Sequence, residues 1–259
     1  MDPTSMATAQ APIDIVVLAG GAATRLGALA AQTPKSLLQV SGLPFVLWPL
    51  FRIHRTTKLG RIIVSARAGQ AAMFRAALSD HIKKLQKDLV IIEENSPIGT
   101  GGAILSMVGQ AAPGDPFLVL NGDVCFALDA GALARAARER GAAMAAVAVP
   151  DSRAFGTLEI DGGRVAAYRE KQPATMPRPG VINAGLYAFT HAVLKDFPPG
   201  PCSFEHDIAP VLVARGQLGA VVAPGPFLDI GTPESYAAAP AMLEAMAVPA
   251  GMSPGPAPK

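Results

Sequence analysis

Residues 13–35, IDIVVLAGGAATRLGALAAQTPK, constrain this chain more than any other stretch. Ile13–Leu18 is a short, apolar, β-branched run, the pattern of a parallel strand buried on both faces. It leads into Ala19, Gly20, Gly21, Ala22, Ala23 and Thr24. Small residues here let backbone N–H groups close on a ligand, and such a turn makes an anion-binding concavity. Arg25 follows at once, and Lys35 comes after Pro34. A fork-shaped cation and a point cation beside that turn suit a triphosphate. A Gly-Gly after a strand is often only a turn. This one is not a dinucleotide fingerprint, because no G-x-G-x-x-G follows, nor a P-loop, because no G-K-[ST] follows.

The 259 residues allow one or two domains at about 150 residues each. Half of them are apolar, ample for a large core, and only 16% are charged. The net charge of +2 comes without a basic block, which fits a single phosphorylated ligand better than nucleic acid. Cys125 and Cys202 are two, and neither sits in a C-x-x-C pair, so they read as reduced core thiols of a cytoplasmic protein. No apolar run reaches the length of about 18 residues that a membrane span needs. No basic segment precedes an apolar stretch near the start, so no signal peptide is expected. Met6 leaves open whether residues 1–5 are native. Residues 1–12 and 248–259 are expected to be flexible tails around one domain at 13–247, the last stretch being rich in Pro, Gly and Ala.

Strand and helix patterns alternate along the chain. Leu37–Val40 reads as extended, Pro44–Lys58 as a helix closed by Gly60, and Arg61–Ala66 as a strand. Gln70–Ser79 reads as a helix, Leu89–Glu93 as a strand, and Ala103–Gln110 as a helix after the Gly-rich loop Glu94–Gly102. Pro116–Asn121, a helix over Leu128–Arg140 and the strand Ala142–Val149 follow. Short links between them predict right-handed βαβ units and a mainly parallel sheet. Asp123 then falls just past the carboxyl end of a strand, where open α/β sheets bind ligands. From Phe155 the pattern alternates and turns at Asp161-Gly162-Gly163, a hairpin. Val181–Phe189 and Leu218–Val222 read as further strands. Ser203 and Thr232 are fair N-caps, and Pro233 starts a helix reaching about Met246. Glu205 and Asp207 read as capping residues. No two of the four histidines have metal-ligand spacing. His81 reads as following a helix end.

The string L-A-G-G-x-x-T-R-L…P-K resembles the signature of the sugar-1-phosphate nucleotidylyltransferases. Five further strings follow in family order: P-I-G-T-G-G, L-N-G-D, the hairpin ending in Glu170-Lys171, I-N-A-G-L-Y with S-F-E-H-D, and F-L-D-I-G-T-P-E-S-Y. The resemblance covers about residues 13–245. It implies a Rossmann-like α/β fold, a mainly parallel central sheet flanked by helices, with a small β-rich sugar-binding lobe. Among subfamilies the motifs most resemble the D-glycero-α-D-manno-heptose 1-phosphate guanylyltransferases. The length leaves no room for the left-handed β-helix that some relatives append, so acetyltransfer is not expected. One departure stands out. Many members carry Gly where this chain has Ala23, and a Cβ is acceptable there only if the position needs no positive φ.

The resemblance also implies roles. Leu18, Ala19, Gly20, Gly21, Thr24, Gly99, Thr100 and Asn121 would line the nucleotide, with Arg25 on its β/γ-phosphates and Lys35 near the reacting centre. Glu94, three residues before Pro97, would meet the base edge. A carboxylate can accept both N1–H and the exocyclic amine of guanine, which favours GTP, but it can also accept a pyrimidine N3–H. Gly156, Glu170, Lys171 and Asn183 would hold the sugar phosphate, Lys171 on its phosphate. Asp123 and Asp229, far apart in sequence, would converge on Mg²⁺, which takes one or two carboxylates plus phosphate oxygens. The expected partners are GTP or another NTP and a sugar 1-phosphate, with neither nucleic acid nor membrane. A homodimer stays an open expectation. The rival readings are UTP with N-acetylmuramate 1-phosphate, GTP with mannose 1-phosphate, or a non-catalytic regulatory subunit on this fold.

Overall fold

In the computed structural model, residues 11–21, 23–169 and 176–246 are described. The tails expected to be flexible lie almost wholly outside these residues. So do Ala22, Glu170 and Lys171.

The chain opens with β1 (Ile13–Leu18), β2 (Gln39–Val40), β3 (Leu43–Pro44) and α1 (Leu47–Thr56). Next come β4 (Leu59–Arg67), α2 (Ala71–Lys84), β5 (Leu89–Glu94) and α3 (Gly99–Ala111). The middle holds β6 (Phe117–Asn121), β7 (Val124–Phe126), α4 (Ala130–Arg140), β8 (Ala142–Val149), β9 (Thr157–Asp161) and β10 (Arg164–Arg169). The last part holds β11 (Gly180–Phe189), α5 (His191–Leu194), α6 (Ala209–Ala214), β12 (Leu218–Ala223), β13 (Phe227–Asp229) and α7 (Pro233–Ala245).

Among the described residues nine strands form one sheet in the order β5-β4-β1-β6-β11-β8-β12-β10-β9. Its first four strands are parallel neighbours, as are β8 and β12. Only β11 and β10 run against the rest of this sheet. The expected β-rich lobe is therefore a continuation of the central sheet, since β10 pairs with β12 and β9 with β11. β1 is buried on both sides, which explains its unbroken apolar run. Ile13, Ile15 and Val17 pack into a core with α1, α2, α4 and α7. Val16 faces a second core built from α3, α5 and α6. Helices thus cover both faces.

Several local expectations are corrected. Pro44 belongs to β3, pairing with Gln39, so α1 starts later, at Leu47. Gly60 lies inside β4 instead of ending a helix, because Asp14 presses on its Cα and leaves no room for a side chain. α2 runs past Ser79 to Lys84 and takes in His81. α3 begins at Gly99, inside the Gly-rich loop. Leu37–Val40 is extended only from Gln39, since Lys35–Leu37 is a 3₁₀ turn. Both cysteines are free thiols. Cys125 is buried, and burial pushes its thiol up to about 12. Cys202 is only half-buried.

Candidate active site

The carboxyl ends of β1, β4, β5 and β6 open on a cavity of 360 Å³. Its walls contain Leu18, Ala19, Gly20, Gly21, Lys35, Glu94, Gly99, Thr100, Asn121 and Asp123, ten of the residues singled out from the sequence. Each arrives by simple local structure. The Ala19 amide donates to Ser65 O and the Gly122 amide to Leu18 O, so both loops start from strands already zipped together. α3 points its first turn at the cavity through Gly99 and Thr100. Among the described residues no side chain caps that end. A helix N-terminus of this kind favours negative charge.

Ala23 stands in the left-handed region, φ 50° and ψ 31°. The condition set from the sequence for tolerating a Cβ there is therefore not met. The alanine carries strain of the order of 1–2 kcal/mol. Thr24 and Arg25 begin the 3₁₀ segment Thr24–Ala30 and stand outside the cavity wall, anchored by buried Leu26.

The two distant aspartates do meet. β13 pairs antiparallel with β7, Asp229 opposite Val124, and the Ile230 amide donates to Asp123 O. This ladder was not foreseen from the sequence, because strands of three residues leave almost no periodicity. Asp123 forms an ion pair with Lys35, and both side chains are largely shielded. Asp229 is the unusual group. Its Oδ1 is cut off from solvent and has no hydrogen-bond partner among the described residues. Burial pushes its carboxyl up, and the charge of Asp123 pushes the same way. Lys35, the Gly231 amide and Arg25 pull back against both. Gly231 is packed between Asp229 and the Arg25 guanidinium; a Cβ there would sit 2.8 Å from Asp229 Oδ1 and 2.7 Å from Arg25 Nη2. Arg25, Lys35, Asp123 and Asp229 are thus one cluster.

Among the described residues no three His, Cys, Asp or Glu side chains cluster as a metal cage. The pair Asp123 and Asp229 nevertheless fits Mg²⁺. An orphaned buried carboxylate oxygen beside a second carboxylate wants a cation, and Mg²⁺ ordinarily completes its shell with water and phosphate.

Of the expected sugar-side residues, Asn183 lies on β11 and Gly156 just before β9, both outside this cavity wall, and Glu170 and Lys171 fall outside the described residues. The Asn183 side chain donates from Nδ2 to Tyr187 Oη at 2.8 Å and accepts from the Gly185 amide at 3.0 Å. Much of its capacity is spent holding the turn at Gly185, whose φ is +76°. Gly156 is required by close approach, because a Cβ there would lie 2.5 Å from Tyr168 Oη. The Tyr187 hydroxyl is pushed well above its usual range by burial and by the charge of Glu205. Ser203 caps its helix as expected, accepting from the His206 amide, and donates to Glu205. Sequence reasoning missed Ser65 and Arg67, both on β4. No motif marks them. Only the pairing of β4 with β5 brings them to Glu94.

Residues 14–245 match the nucleotidyl transferase family. The mannose-1-phosphate guanylyltransferase of Mycobacterium tuberculosis is 35% identical over 237 residues, 89% of this chain and 64% of that protein. The chain spans less than two thirds of the length of the curated relatives it matches. The crystal structure of HddC from Yersinia pseudotuberculosis aligns with a TM-score of 0.75 at 30% identity, covering 91% of this chain and 100% of that one. The same protein complexed with GMP-PN aligns with a TM-score of 0.73 at 29% identity, covering 88% and 98%. With its Rossmann-like α/β sheet, its Gly-Gly turn and its cation–carboxylate cluster in place, the chain belongs to the nucleotidyl transferase family.

Proposed function

We propose that this protein transfers a guanylyl group from GTP to a sugar 1-phosphate, releasing pyrophosphate. One observation carries the reading. A single cavity has Glu94 on its wall at β5 and the Lys35–Asp123 pair on its wall at β6. That polarity matches a nucleotide, base at one end and phosphates at the other. The guanylyltransferase relative and the GMP-PN complex of HddC support guanine as the base. The motif resemblance favours a heptose 1-phosphate as acceptor, whereas the curated relatives favour mannose 1-phosphate.

The chemistry asks little of acid–base groups. A phosphate monoester is largely dianionic at neutral pH, its second pKa being about 6. Its oxygen attacks the α-phosphorus in line and expels pyrophosphate. Catalysis is then positioning and charge neutralisation. The Gly-Gly turn and the start of α3 orient the triphosphate. Arg25 neutralises the β/γ-phosphates. Lys35 exchanges Asp123 for the phosphates near the reacting centre. Lys171, outside the described residues, holds the sugar phosphate. Asp123 and Asp229 hold Mg²⁺, which when bound supplies positive charge to the phosphate oxygens.

The test is pyrophosphate release from a panel of GTP, UTP, ATP, CTP and dTTP against heptose, mannose, glucose and N-acetylmuramate 1-phosphates. GTP-dependent release is expected, and the acceptor with the highest kcat/KM names the substrate. A UTP preference would move the assignment to the uridylyl reading. No release from any pair would leave the regulatory-subunit reading standing.

A further inference from the structure

We propose that Arg67 is a second base-reading residue, donating to the 6-keto oxygen of guanine beside Glu94, and that Ser65 positions Glu94 for its share. The inference deepens the GTP reading and rests on it.

Side chains alternate along a strand, so Ser65 and Arg67, two apart on β4, share one face. In the parallel ladder Arg67 lies opposite Glu94 on β5. All three therefore project to the same side, and Arg67 and Glu94 both line the cavity. Ser65 is fully buried, and its hydroxyl donates to Glu94 Oε1. From the other side the carboxylate rests on the Cα of Gly20, where a Cβ would come within 3.1 Å of Oε2 and 3.2 Å of Oε1. The Glu94 head is thus held between Ser65 of β4 and the turn after β1.

Its neighbour Glu93 faces away. Glu93 accepts from the Ala71 amide at 2.6 Å, a bond that holds its carboxyl below the usual range and commits it to the start of α2. The two acids of one strand end have separate tasks. Arg67 is similarly split between backbone and side chain. Its carbonyl accepts from the Gln70 amide, fixing the turn through Gly69. Its side chain stays exposed at the cavity. The other arginine of β4, Arg61, is committed to Asp14 at the opposite end.

The pair complements a guanine edge. That edge presents O6 as an acceptor, then N1–H and the 2-amino group as donors. A guanidinium only donates and a carboxylate only accepts. Adenine and cytosine present an amino donor and a bare ring nitrogen in the first two places, so both residues oppose them. Uracil presents a keto oxygen and N3–H, so Arg67 admits it, and only the 2-amino contact to Glu94 tells guanine from uracil. Arg67 reads keto against amino, and Glu94 reads the amine.

The experiment compares kcat/KM for GTP, 6-thio-GTP and ITP on wild type, Arg67→Ala, Arg67→Lys and Ser65→Ala, with one fixed sugar 1-phosphate. 6-Thio-GTP replaces the oxygen at position 6 by a larger sulfur that accepts weakly, and ITP lacks only the amine. Wild type should lose about ten- to a hundredfold on 6-thio-GTP, the scale of one hydrogen bond to a charged group. Arg67→Ala should lose a similar factor on GTP and close the gap to 6-thio-GTP, while its ITP penalty stays that of wild type. Arg67→Lys, which keeps a donor, should recover part of the gap. Ser65→Ala should raise KM for GTP at unchanged kcat and shrink the ITP penalty. An equal fall of Arg67→Ala on all three nucleotides would mean a phosphate contact and overturn the proposal. So would an unchanged gap to 6-thio-GTP. A wild type that uses ITP as well as GTP would instead remove Glu94 as the reader of the amine, a failure separable from that of Arg67.

Discussion

At the amino end of β1, Asp14 accepts from the Arg61 backbone amide, from Arg61 Nε and Nη2 and from the Gly114 amide, at 2.7 to 3.0 Å. Burial alone would raise its carboxyl, but the Arg61 fork and the two amides more than offset this and hold it below the usual range. Beside the carboxyl ends of these strands, the separate two-stranded β7–β13 ladder treats an acid differently. Asp229 has a buried oxygen without a hydrogen-bond partner among the described residues, and its carboxyl is raised. One end satisfies its charge from within the fold. The other leaves charge to be satisfied from outside, the mark of a site that awaits a ligand.

The largest break in this comparison comes from Asp229→Asn. It keeps the shape and removes the charge. Turnover should fall about a hundredfold or more, the scale on which a group acting on transition-state charge is felt. The melting temperature should hold or rise, because a buried charge that burial and Asp123 both disfavour is removed. The check is kcat at limiting Mg²⁺ beside a thermal scan. Near wild-type turnover, or a clear drop in melting temperature, would place Asp229 with Asp14 among structural acids.

Much of this was legible from residue letters because the relevant signals are local. The apolar run of β1, the small-residue turn, the caps at Ser203 and Thr232 and the Pro233 helix start each depend on neighbours in sequence. What was not legible depends on strand pairing. β7 and β13 are too short to show a period, yet they bring Asp123 to Asp229. Arg67 gains meaning only from lying opposite Glu94. The backbone of Ala23 was left open for another reason. Alanine there carries no letter-level sign of a left-handed conformation that its neighbours impose.

Asp14→Asn tests the opposite end. An amide in that place turns two of its hydrogens toward donors of Arg61 and Gly114. The loss should be about 2 kcal/mol, or roughly 4–8 °C in melting temperature for a chain of this size. The kcat/KM at a permissive temperature should not change. The pH dependence has a definite sign. A lowered carboxyl contributes stability that is present above its unfolded value, 3.8, and is lost as pH falls through the folded one. The gap between wild type and variant should therefore be full at neutral pH and close only below pH 3.8. A gap that closes already near pH 6 would show that another group carries the effect.

The smallest effect sharpens the comparison furthest, because it puts the same substitution at both ends. Ala23, φ 50°, borders the cavity, and Ala112, φ 41°, follows α3 where its carbonyl accepts from Arg61 Nη2. Both are left-handed alanines, so a glycine at either relieves a similar strain. Each change should add about 1 kcal/mol net of the extra freedom glycine gives the unfolded chain, or roughly 2–4 °C. Function should separate them. Ala112→Gly lies at the satisfied end and should leave KM for GTP alone. Ala23→Gly loosens the turn that must be ordered around the triphosphate, so part of the ordering cost shifts from folding to binding and KM should rise about twofold. Thermal scans and GTP titrations of the two variants, side by side, decide the matter. A rise in KM for both, or for neither, would show that the conformation of Ala23 is a matter of folding alone and not of the site.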